Sequence, residues 1–84
     1  MGLFFKSKKY DDDDLSLSAE RAIKEHPILK SLTNISVLSE DGEVQIIGKV
    51  KTKSYKNRVL RTVESKFKRS NKVYKNIKNN LEIS

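Results

Sequence analysis

The stretch Asn34-Ile-Ser-Val-Leu-Ser-Glu-Asp-Gly-Glu-Val-Gln-Ile-Ile-Gly-Lys-Val50 decides the fold. Its first half places Ile35 and Val37 on one face and Ser36 on the other. Its second half places Val44, Ile46 and Val50 together, with Gln45 and Lys49 opposite. Alternation with period two marks a strand with one face in the core. Between the halves stands Ser39-Glu-Asp-Gly42. Asp-Gly accepts the positive φ that a tight hairpin turn demands. An antiparallel hairpin is therefore the first expectation.

Outward from the hairpin, Tyr55, Val59, Val63 and Phe67 repeat every four residues, with Leu60 beside them. This spacing predicts a helix over about Ser54 to Arg69 whose apolar stripe covers the sheet. Asn71 can take the left-handed conformation that ends a helix. A last strand is expected over about Asn76 to Ile83, with Ile77, Leu81 and Ile83 on one face. Asn79 falls among these inward residues, where its amide needs partners. Strand, helix and strand in sequence favour a right-handed crossover, so strands two and three should be parallel.

Upstream, Leu15, Ala19, Ala22, Ile23 and His26 share one helical face, so a first helix is expected from Ser16 or Ser18 to Glu25. Pro27 disfavours helical geometry at His26 and should end it. Ile28, Leu29 and Leu32 then carry apolar contacts into the first strand. The fold class is α+β: an αββαβ sandwich, a three-stranded mixed sheet with two helices on one face. Residues 1–14 are expected to be a flexible basic and acidic tail, and residues 15–84 the domain.

An 84-residue chain makes one domain with a small core. It has no cysteine, so neither disulfides nor thiolate metal sites hold it. No run of about 18 apolar residues occurs, so no transmembrane helix is expected. Met1-Gly-Leu-Phe-Phe-Lys6 is too short for the apolar core of a signal peptide. Lys6 stands where the myristoylation pattern wants Ser or Thr. The expected location is cytoplasmic, either free or peripheral on the membrane.

The net charge of +7 is unevenly placed. Residues 1–42 carry 6 Lys and Arg against 8 Asp and Glu, whereas residues 43–84 carry 12 against 3. Such asymmetry points to an anionic partner for the basic half. A Lys-rich surface also simply keeps a small domain soluble. The densest ordered cationic surface is on the second helix: Arg58, Arg61 and Lys68, flanked by Lys56 and Arg69. At the start, Leu3, Phe4 and Phe5 precede Lys6, Lys8 and Lys9. This apolar wedge with a basic collar suits a bilayer interface, or it packs back on the domain. Asp11–Asp14 read as a solvated spacer before a helix rather than a metal site, because a cation site needs oxygens converging from a defined loop.

Catalytic patterns are missing. Three isolated glycines make no phosphate loop, no zinc spacing occurs, and no nucleophile has a histidine base at motif spacing. The lone His26 is expected to be structural or solvent-facing. The chain is read as no enzyme, with no cofactor. Nucleic acid is a weaker fit than a membrane, since Tyr and Phe are committed to the core and no nucleic-acid motif appears. An interaction module whose edge strand pairs with a partner stays open.

The element order, the pattern Ile35-x-Val37 ahead of Asp41-Gly42-x-Val44-x-Ile46-x-Gly48-x-Val50, and the closing Asn79-x-Leu81-x-Ile83 resemble a BON (bacterial OsmY and nodulation) domain. His26-Pro27-Ile28-Leu29 is similar to the Asp-Pro segment ahead of the first strand of that family. The resemblance covers about residues 17–84. It departs where Ser70-Asn71-Lys72-Val73 stands in place of the usual Gly-Val pair. The resemblance implies a non-enzymatic binding module that associates with anionic phospholipid membranes or cell-envelope components. It supplies no site residues, and family members are often periplasmic.

Overall fold

The computed structural model describes residues 9–84. Helix α1 spans Asp12–Glu25, a single 3-10 turn spans Leu29–Ser31, and strands β1 and β2 span Ile35–Glu40 and Glu43–Val50. Helix α2 spans Lys53–Arg69 and strand β3 spans Asn76–Ile83. The sheet order is β1-β2-β3, with β1 antiparallel and β3 parallel to β2. Both helices lie on one face, α1 over β1 and α2 over β2 and β3. This is the expected mixed α+β arrangement.

The hairpin forms as its sequence demands. Asp41 and Gly42 have φ of 53° and 82°, the paired positive values of a type I′ turn. The ladder runs without a bulge from Glu40 opposite Glu43 to Ile35 opposite Gly48. Gly48 is needed for a different reason. Its φ is +143°, and a Cβ placed there would lie 2.0 Å from the Asn34 carbonyl oxygen. The neighbouring strand's backbone occupies the space a side chain would fill.

The core is the surface these elements share. Leu15, Ala19 and Ile23 of α1, Val37, Val44, Ile46 and Val50 of the hairpin, Val59, Val63 and Phe67 of α2, Leu81 and Leu29 form one buried cluster. Tyr74 tilts against Phe67, with ring centroids 5.0 Å apart. Ile83 departs from expectation: it shares the inward parity of Ile77 and Leu81 but is 50% exposed. It is the last residue of the edge strand and pairs with Val50, which stays buried on the central strand. Asn79 is half satisfied. Its Nδ2 donates to the Lys56 carbonyl at 2.9 Å, while its buried Oδ1 has no partner.

Helix α2 is closed at both ends by local chemistry. Thr52 caps the start by accepting from the Tyr55 N–H at 3.2 Å. At the other end Lys72 N–H donates to the Phe67 carbonyl and Asn71 N–H to the Lys68 carbonyl, with Asn71 at φ 54°. That is a Schellman closure, in which asparagine substitutes for the usual glycine. Thr52→Ala should lower unfolding free energy by about 1 kcal/mol. Urea denaturation followed by circular dichroism checks this, with the midpoint falling and the slope unchanged.

The start of α1 is a correction. The helix begins at Asp12, not at Ser16 or Ser18, and its cap is Asp11, whose side chain accepts from the Asp14 N–H. The four aspartates are therefore no spacer. Three of them make the first turn, where carboxylates meet the positive end of the helix dipole. Asp12 reaches across to the hairpin. Its Oδ1 accepts from Ser39 Oγ at 2.7 Å and from Gly42 N–H at 2.9 Å, and its Oδ2 accepts from Asp41 N–H at 2.8 Å. Asp14 accepts from Lys72 Nζ at 2.5 Å, tying α1 to the loop after α2. Propensity alone does not reveal these ties, because their partners lie 27 to 58 residues away.

Candidate functional site, a cationic trough on helix α2

Helix α2 carries seven Lys and Arg against a single Glu64. Its buried stripe is Val59, Val63 and Phe67. At 100° per residue, Ser54, Arg58, Arg61, Ser65 and Arg69 fall on another side, at spacings of four, three, four and four. The three arginines thus line up over about 16 Å of helix, at 1.5 Å per residue. They line an open trough together with Ser54, Asn57, Thr62, Ser65 and His26.

His26 comes to this trough from the end of α1. Its Nδ1 accepts from the N–H groups of Ile28 and Leu29 at 3.1 and 3.3 Å, which starts the 3-10 turn. These bonds are local, whereas its position beside Arg58 and Arg61 follows only from the packing of α1 against α2.

The lining is chemically one-sided. It offers guanidinium, hydroxyl, amide and imidazole groups, and no carboxylate. Among the described residues the ion pairs are Lys72–Asp14 and Lys78–Glu43, and neither engages a trough arginine. Thr62 Oγ1 is turned inward to the Arg58 carbonyl at 2.7 Å. Planar guanidinium forks aligned along a helix match the paired oxygens of phosphate or carboxylate. Among the described residues no aromatic ring lines the trough. Phe67 is buried, Tyr74 packs on it, and Tyr55 packs against the core.

The expected cationic residues divide accordingly. Arg58, Arg61 and Arg69 are brought together. Lys68 is exposed on the same helix, near Arg61 in angle but outside the trough. Lys56 is half-buried and lies in angle between Val63 and Phe67, away from the arginines. Lys9 is exposed at the hairpin end, with Nζ 5.6 Å from the ring centre of Tyr10, which packs on Gly42. Leu3, Phe4, Phe5, Lys6 and Lys8 lie outside the described residues. Among the described residues no group of acidic, His or Cys side chains converges to hold a metal, and no helix is long and apolar enough to cross a membrane.

A scan against known protein families finds no match, and a search of curated proteins finds no relative.

Proposed function

We propose that this chain is a non-enzymatic binding module that docks peripherally on anionic phospholipid surfaces through the arginine trough of α2. The observation that carries the proposal is the alignment of Arg58, Arg61 and Arg69 in a lining without a carboxylate. Cations held in a row by a rigid helix meet lipid phosphates without first breaking internal ion pairs. The resemblance to BON domains supports the same class of partner, and so does the apolar and basic composition of residues 3–9. A nucleic acid offers phosphates too, but among the described residues the trough has no aromatic platform on which bases could stack.

Co-sedimentation with vesicles tests this. Binding is expected to phosphatidylglycerol or phosphatidylserine vesicles, weakening as salt rises, with none to pure phosphatidylcholine. Arg61→Gln should weaken binding about fivefold, the equivalent of roughly 1 kcal/mol for one cation at a charged membrane surface. Absence of binding to anionic vesicles at low salt ends the proposal. A steeply salt-dependent shift of RNA or DNA mobility, without vesicle binding, would transfer the site to nucleic acid.

A further inference from the structure

Among the described residues, one edge of β1 has no strand beside it. A type I′ two-residue turn makes Glu40 and Glu43 a hydrogen-bonded pair, and the antiparallel ladder then alternates. Ser36, Leu38 and Glu40 therefore turn their backbone groups to β2. Ile35, Val37 and Ser39 turn theirs outward, and among the described residues no backbone or loop hydrogen bond reaches them. Edges of this kind are normally guarded by lysine, proline or a bulge. β1 has none of these along Ile35–Glu40, its one charge being Glu40 beside the turn, whereas β3, the opposite edge, carries Lys78 in mid-strand.

We propose that the occupant of this edge is β1 of a second copy of the chain, so that two sheets join antiparallel about a two-fold axis at Val37. This register pairs Val37 with itself and Ile35 with Ser39 of the other copy. It satisfies every outward backbone group with about six hydrogen bonds, more than a shift by two residues in either direction allows. It also answers an exposed feature of the open sheet face. Leu38 is 56% and Ile47 38% exposed, and they are diagonal neighbours across β1 and β2. In the joined sheet the two Leu38 side chains become diagonal neighbours as well, giving a continuous apolar line from Ile47 of one copy to Ile47 of the other.

Charge supports the same occupant. α1 lies over β1, so the two-fold sets the two α1 helices antiparallel. The first turn of one, where Asp13 is exposed while Asp12 and Asp14 hold partners within their own chain, then lies toward the end of the other that carries Lys24 and Lys30 beside Glu25. The α2 helices stay on the far sides, over β2 and β3, which keeps the strongly basic halves apart. Both arginine troughs remain on the helical side of one sheet, although the dimer does not depend on what they bind.

Sedimentation equilibrium over a concentration series tests the assembly, and cysteine pairing tests the register. The weight-average mass should rise twofold, from one chain to two. The chain has no cysteine, so introduced thiols report alone. In this register residue 36 faces residue 38 of the other copy as a non-hydrogen-bonded pair. Its Cα atoms are about 4.5 Å apart, within the range a disulfide spans. Both positions are exposed, so the variants should fold, which circular dichroism confirms. Mixing Ser36→Cys with Leu38→Cys protein under mild oxidation should give the mixed disulfide several-fold over either homodimer. A chain that stays monomeric at all concentrations overturns the proposal. A dimer without preferential pairing of 36 with 38 overturns it too, by placing the interface elsewhere.

Discussion

Gly48→Ala should destabilise the protein by about 3 kcal/mol or more, a large part of the roughly 4–13 kcal/mol expected for 84 residues. Two costs act together. The φ of +143° is one that L side chains rarely adopt. The new methyl would also sit 2.0 Å from the Asn34 carbonyl oxygen, with Ile35 Cα at 3.1 Å. Both neighbours are backbone, so no rotamer change can relieve the contact. β1 must move off β2, or residue 48 must change conformation and break its pairing with Ile35 and Leu81. Since Gly48 sits in the central strand, either response loosens both sides of the sheet. Urea denaturation of the two proteins measures the difference. A loss under 1 kcal/mol would mean that the strands part there at little cost. Gly42→Ala is the informative comparison. Its Cβ would meet the Tyr10 ring at 2.5 Å, a side chain able to swing away, so the smaller loss is expected there.

Asp12→Ala should cost about 2 kcal/mol and Asp12→Asn about 1, with α1 and the hairpin loosening together. The carboxylate accepts from Ser39, Asp41 and Gly42, so it gathers the turn's donors onto the first turn of α1. Hydrogen bonds to a charged acceptor are stronger than neutral ones, and Gly42 is buried, so water does not replace that bond freely. Alanine removes all three acceptor contacts. Asparagine keeps one oxygen and presents an amide to donors. Hydrogen exchange should show faster opening of the Asp41 and Gly42 amides in Asp12→Ala, with the α2 amides changed only to the extent that global stability falls. Unchanged protection at the turn would show that type I′ geometry holds the hairpin without Asp12.

The sheet and α2 were legible because their information is local. Alternation in Ile35–Val50 gives the faces, Asp41-Gly42 gives the turn, and the four-residue repeat from Tyr55 to Phe67 gives the covering stripe. Each depends on side-chain periodicity against water, which a short window contains. The arginine trough was legible in part for the same reason: the spacing of Arg58, Arg61, Ser65 and Arg69 is a helical face in its own right.

What stayed hidden were contacts between segments distant in sequence. Asp11 to Asp14 carry the composition of a spacer, and Ser16 and Ser18 are equally good caps, so composition placed the start of α1 too late. The helix extends to Asp12 because the hairpin turn and Lys72 supply partners for its carboxylates. Ile83 has inward parity, yet it closes the edge strand and water reaches it, while its neighbour Val50 on the central strand is buried. His26 joins the trough only because α1 and α2 pack side by side.

By itself, then, the order of residues determined which segments become strands and helices, and which face of each turns from water. Only the tertiary structure decided where α1 begins, why residue 48 must lack a side chain, and which cations share one surface. The physical reason is range. Periodicity and turn chemistry act within one or two turns of chain, whereas a carboxylate's partner, a strand's clearance and a charge's neighbours are set once the chain has closed on itself.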